Sequence, residues 1–174
     1  LPADAVAGTT ARDYLRIEDD YLIEVGLTPN RVDAASHIGV ARDLAAYLRS
    51  RGEDVSVKMP DVSAFAPDNH DLGVKIRVEN HEAAPRYAGV TVKNCKIAPS
   101  PEWMQNCLRA AGINPKNNLV DITNFVLFEL GQPLHAFDAA KIEGREVVVR
   151  TCAEGTPFVT LDGVEPVSYT HLRA

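Results

Sequence analysis

The segment Lys116–Asp138, KNNLVDITNFVLFELGQPLHAFD, leaves the backbone little choice. Its apolar residues from Leu119 to Leu130 recur at helical spacing, and Asn117 and Asn118 stand at the head of the run. An asparagine side chain there accepts from amide groups that the first helical turn leaves unpaired. Gly131 sits where a left-handed residue ends a helix. Two residues later, Pro133 lacks an amide hydrogen and forbids continuation. The segment therefore predicts one helix closed at both ends, then a stiff corner that presents His135.

That helix is not uniformly apolar. Asn124 shares a face with Val120 and Leu127, and Thr123 adds a hydroxyl beside it. A buried amide without a partner costs roughly 1–3 kcal/mol. Polar groups set into an apolar helix before a sharp turn are how a small pocket is made. Asp121 is placed to cap or brace the turn before it, and Asp138 either orients the His135 ring or caps the next turn. Taken alone, a histidine in such a context is more often a hydrogen-bonded core residue than a catalytic one.

Upstream, Tyr21–Leu27 reads as a strand, and Thr28, Pro29 and Asn30 form a turn. A helix follows, with Asp33 or Ser36 as its cap, Ile38, Ala41, Leu44, Ala45 and Leu48 on its apolar face, and Gly52 as its stop. Asn30, Arg31, Asp33, Ser36 and His37 read either as a binding loop or as a hydrogen-bonded turn with a cap, the second being favoured. Gly73–Glu79 alternates as a half-buried strand, and a second strand is expected after Pro85. Arg86, at its start, suits a phosphate clamp or, more often, a surface ion pair. Ser100 and Pro101 open a helix whose inner side takes Trp103, Met104, Cys107, Leu108 and Ala111. Trp103 there is a stacking platform for a base or, as the spacing favours, core. Glu146–Thr151 and Thr156–Leu161 read as strands, with Asp162-Gly163 as a tight turn. The expected class is α+β, a mixed or antiparallel sheet with packed helices.

A net charge of −6 over 174 residues argues against a broad nucleic-acid face, which is normally basic. Any RNA contact should be confined to a short single-stranded end. No apolar run approaches the roughly 18 residues of a membrane span. Cys95, Cys107 and Cys152 are odd in number and form no CxxC pattern, so no metal site is expected and a reducing cytoplasm fits best. The opening LPADAVAGTT and the closing VSYTHLRA read as loop and tail of a piece of a longer chain.

VDITNFV followed by ELGQPLHAFD resembles the signature of the B3/B4 editing domain of the bacterial phenylalanine–tRNA ligase β subunit. SPEWMQNCLRAAGINP resembles the approach to that signature, and the stretch from Thr28 to Ala46 resembles the adjoining B1 domain. The resemblance implies a B1-like segment over 1–52, a linker over 53–72, the first part of the editing domain over 73–165, and a non-native or disordered tail over 166–174. It also implies hydrolysis of the ester in mischarged tyrosyl-tRNA(Phe), with His135 and Asn124 as catalytic residues and Thr123 and Pro133 lining the pocket. No Ser or Cys in the signature stands beside an evident base, so an oriented water is expected rather than an acyl-enzyme. The implied partners are the tRNA(Phe) 3′ end and the ligase α subunit in an α2β2 assembly, with no membrane. No cofactor is expected in this stretch; ATP and magnesium would serve the whole ligase. The chain departs from the family pattern around Pro166, and no position matches the acid that reads the tyrosine hydroxyl. A free-standing trans-editing deacylase and a non-catalytic scaffold are the alternatives, and the B1-like segment favours the subunit.

Overall fold

The computed structural model describes residues 5–15, 19–153 and 155–156. Its elements are α1 (Ala11–Leu15), α2 (His37–Ser50), β1 (Lys75–Val78), α3 (Glu102–Ala110), α4 (Asn118–Leu130) and β2 (Glu146–Val149), with 3-10 turns at Val32–Ala34, Ala139–Lys141 and Glu143–Arg145. The chain divides into two units that alternate along the sequence. One takes the described residues of Leu1–Lys58 and Pro99–Leu134; the other takes those of Met59–Ala98 and His135–Ala174.

In the first unit, α4 packs against both α2 and α3. Its ends are those the sequence predicts. Asn117 accepts from the amides of Leu119 and Val120, each at 3.1 Å, and Gly131 closes the helix at φ 76°. Left-handed backbone is one reason for glycine there. The other is space, since a Cβ on Gly131 would lie 3.3 Å from Cβ of Ser36. Ser36 itself caps α2, accepting from the Gly39 amide at 3.1 Å. His37 then donates from Nδ1 to the Phe128 carbonyl at 2.9 Å, filling one of the acceptors that a helix C-terminus leaves open.

The apolar face expected of α2 holds at Ile38, Ala41, Ala45 and Leu48, which are buried or half-buried beside buried Gly39; only Leu44 departs from it, 55% exposed. Gly39 is the reason that the preceding 3-10 turn can lie so close. A Cβ there would meet the Asp33 carbonyl oxygen at 2.5 Å and the Ala34 Cα at 2.6 Å, both backbone atoms that cannot swing aside. Gly39→Ala should lower stability by about 1–3 kcal/mol, the usual penalty for overpacking. Urea denaturation reads it directly, and an unchanged midpoint would show that the turn yields.

Three further expectations need correction. Ser100 does not cap α3, because its hydroxyl is taken by Asp121; Pro101 is the capping residue and makes no side-chain bond. Met104 and Leu108 form the buried side of that helix, whereas Trp103 is 56% exposed and meets Phe125 edge-to-face at 5.4 Å, so it is not core. The Tyr21–Leu27 strand is absent: these residues join no ladder, and Tyr21, Leu22 and Ile23 are all more than three-quarters exposed. A helix that the sequence did not announce, α1, begins where Thr10 accepts from the Asp13 amide at 3.1 Å.

The second unit contains the one β pair among the described residues, and the α+β class stands. The pairing is parallel, with Lys75 opposite Glu146 and Val78 opposite Val149, which corrects the mixed or antiparallel sheet expected. Its strands lie far apart in the sequence, and parallel partners require such a crossover where antiparallel ones can share a hairpin. β1 keeps the alternation read from the sequence, with Ile76 and Val78 half-buried between exposed Lys75 and Arg77. The strand expected after Pro85 does not form, and residues 85–90 are exposed. Ion pairs tie the two strands, Glu146 accepting from Arg77 Nε at 3.2 Å with Lys75 Nζ at 3.5 Å. The Arg77 bond, then the Lys75 charge, holds the Glu146 carboxyl below its ordinary range. Residues 53–72 form no helix or strand. The expected strand through Leu161, the Asp162-Gly163 turn and the tail from Pro166 lie outside the described residues.

Candidate functional site

Helix α4 places Thr123 and Asn124 side by side, both half-buried. Thr123 donates from Oγ1 to the Val120 carbonyl at 2.7 Å, which fixes the hydroxyl and leaves its oxygen able to accept. Asn124 differs. Its amide makes no hydrogen bond among the described residues, and no fully buried side-chain polar atom there is without a partner. The Asn124 amide is therefore a polar group that the fold holds in place, leaves unpaired and keeps within reach of solvent. Pro133 follows the Gly131 stop on an exposed stretch of the same unit.

His135 belongs to the other unit, where it is exposed rather than a hydrogen-bonded core residue. Its ring makes no hydrogen bond among the described residues and lies against Phe137, with centroids 4.3 Å apart and planes tilted by 50°. Asp138 caps the next turn, its Oδ1 accepting from the Ala140 amide at 3.0 Å, and so does not orient the imidazole.

Just below Asn124 on α4, Asp121 is 1% exposed and fully engaged. Oδ1 accepts from the Lys116 amide at 2.8 Å and Oδ2 from the Ser100 hydroxyl at 2.6 Å. This carboxylate ties the approach to α3 to the first turn of α4, where a negative charge also meets the positive end of the helix dipole. The Ser100 link was not readable from the sequence, because two polar residues so far apart carry no local pattern.

The residues from Asn30 to His37 are a hydrogen-bonded turn with a cap. Thr28 donates to Asn30 at 2.6 Å, and Arg31 grips Asp33 and Asp43 with bonds of 2.7–3.1 Å. Its bonds to Asp33 and Asp43 hold the Arg31 guanidinium protonated above its ordinary value, and the same Arg31 bond holds the Asp33 carboxyl low. Arg86 is exposed and makes no ion pair among the described residues, so the expected surface pair is not found. Cys95, Cys107 and Cys152 are free thiols. Among the described residues no three His, Cys, Asp or Glu side chains gather where they could hold a metal ion. None of the described helices is long and apolar enough to cross a membrane.

Comparison with known proteins places these residues in a family. The family model of the B3/4 domain matches residues 83–171, which include Thr123, Asn124, Pro133 and His135. The phenylalanine–tRNA ligase beta subunit of Bacteroides fragilis is 60% identical over 95% of this chain, and that of Porphyromonas gingivalis is 54% identical over the same share. The Bacillus subtilis protein of that name is 48% identical over 99% of the chain. In each case the match takes up about one fifth of the relative, 20–21% of its length. With the helix, its stop and the histidine corner all inside the matched range, the chain belongs to the B3/4 domain family.

Proposed function

We propose that this chain is part of the editing region of a phenylalanine–tRNA ligase β subunit, which within the full subunit hydrolyses the ester linking tyrosine to tRNA(Phe), and that these 174 residues alone are weakly active or inactive. The observation that carries this reading is 60% identity to such a subunit across 95% of the chain. The whole enzyme would charge tRNA with phenylalanine in the cytoplasm using ATP and magnesium. The β chain would work there with the α subunit, and this region would meet only the tRNA 3′ end.

An aminoacyl ester is labile, so catalysis needs a well-placed water more than a covalent nucleophile. In this reading the unpaired Asn124 amide binds the ester or the terminal ribose and orients that water. Thr123 and Pro133 shape the wall beside it. His135, as the family resemblance implies, supplies an imidazole to ester hydrolysis as a hydrogen-bonding group. A hydroxyl-reading site rejects phenylalanine because that side chain would strand its polar groups, a discrimination of about 10⁴–10⁵. The acidic net charge of −6 supports contact with a single-stranded end rather than a duplex.

The test is deacylation by the full-length subunit in its ligase. Tyrosyl-tRNA(Phe) should be hydrolysed and phenylalanyl-tRNA(Phe) spared. His135→Ala should slow tyrosine removal about tenfold to a hundredfold, the scale of a misplaced reacting group, with phenylalanine charging intact. Equal treatment of both esters would overturn the reading. Unchanged deacylation by the variant would remove His135 from it.

A further inference from the structure

An exposed histidine that takes part in catalysis must be kept from sampling all its rotamers, because a ring that wanders spends little time in a productive pose. His135 lies within residues 131–138, every one of them exposed, so burial does not hold it. No hydrogen bond holds it among the described residues, and the nearest carboxylate in sequence, Asp138, is committed to the Ala140 amide. What remains is the ring of Phe137, 4.3 Å away between centroids.

Phe137 is itself 59% exposed, so core packing does not account for it. A large apolar side chain left that open gains little from its own burial. Its close aromatic contact is with the imidazole two residues before it. Both side chains belong to the same unit and to one short irregular segment that ends at the Asp138 cap, so the contact is local in the chain.

We propose that Phe137 is a positioning residue for His135, holding the imidazole by a close tilted ring contact in place of the carboxylate or carbonyl partner that more often orients a catalytic histidine. This rests on the part given to His135 above. A ring pair of this kind biases orientation by a factor of about two to twelve. Its loss should therefore appear in kcat for deacylation, with KM for the tRNA nearly unchanged.

The experiment is a double-mutant cycle in the full-length subunit, assembled in its ligase, with tyrosyl-tRNA(Phe) as substrate. Phe137→Leu should lower kcat about two- to twelvefold, and Phe137→Tyr, which keeps the ring, should restore it. In the His135→Ala background, Phe137→Leu should add nothing, because the group it positions is gone. An equal loss in both backgrounds overturns the proposal, as does a parallel loss of phenylalanine charging, which marks a general structural role. If His135→Ala slows deacylation and Phe137→Leu does not, only the positioning role falls. If His135→Ala is silent, the part given to His135 falls first and the proposal with it.

Discussion

Asp121→Ala should destabilise this chain by several kcal/mol, more than any other single truncation in the helical unit. The carboxylate is 1% exposed, and both of its oxygens are in use. Removing it strands the Ser100 hydroxyl, which is 5% exposed, and the Lys116 amide, at about 1–3 kcal/mol for each group left unsatisfied. It also removes a negative charge from the first turn of α4. Asp121→Asn separates these contributions. Its amide oxygen can still accept from Lys116, and its NH2 group can donate to a reversed Ser100 hydroxyl, so it should lose distinctly less than the alanine variant. Chemical denaturation of the three proteins gives the order. Equal losses for Ala and Asn would mean that charge, not hydrogen bonding, is what the site requires.

That carboxylate also marks where the sequence stops being readable. The limits of α4 were legible because they are set by chemistry within a few residues: Asn117 reaches amides two and three positions ahead, and Gly131 meets a local need for φ 76°. The Ser36 cap and the alternation of β1 were legible for the same reason. Ser100 misled because a serine before Pro-Glu is good capping chemistry, yet a carboxylate twenty-one positions away holds its hydroxyl. The partner of β1 could not be named, since a four-residue strand carries no record of which distant strand will pair with it, or in which direction. Tyr21–Leu27 misled differently. β-propensity describes fit to a half-buried pleated surface, and these residues meet no such surface among the described residues. At the candidate site, the polar pair on α4 and the corner before His135 were visible from composition and spacing. The only sequence signal for the Phe137 contact is an aromatic two residues after the histidine.

Asn124→Ala should have the opposite signature to Asp121→Ala: little change in stability and a large loss of editing. The two residues are three apart on one helix, and both are polar on a largely apolar segment. The fold uses every acceptor of the first and, among the described residues, nothing of the second. A half-buried amide with no internal partner gives up no protein hydrogen bond when truncated, and alanine is the better helix former. If that amide orients the ester or the attacking water, as proposed, its removal resembles deleting one preorganised donor from a reaction site, on the order of 10²- to 10³-fold in kcat. The measurement is deacylation of tyrosyl-tRNA(Phe) by the full-length variant, alongside its thermal midpoint and its phenylalanine charging. Thr123→Val is the companion variant. It loses the bond to the Val120 carbonyl but keeps the shape of the wall, so it should reduce deacylation less than Asn124→Ala does. Deacylation at the wild-type rate in Asn124→Ala would mean that α4 supports the domain without touching the ester, and the chemistry would have to be sought away from this helix.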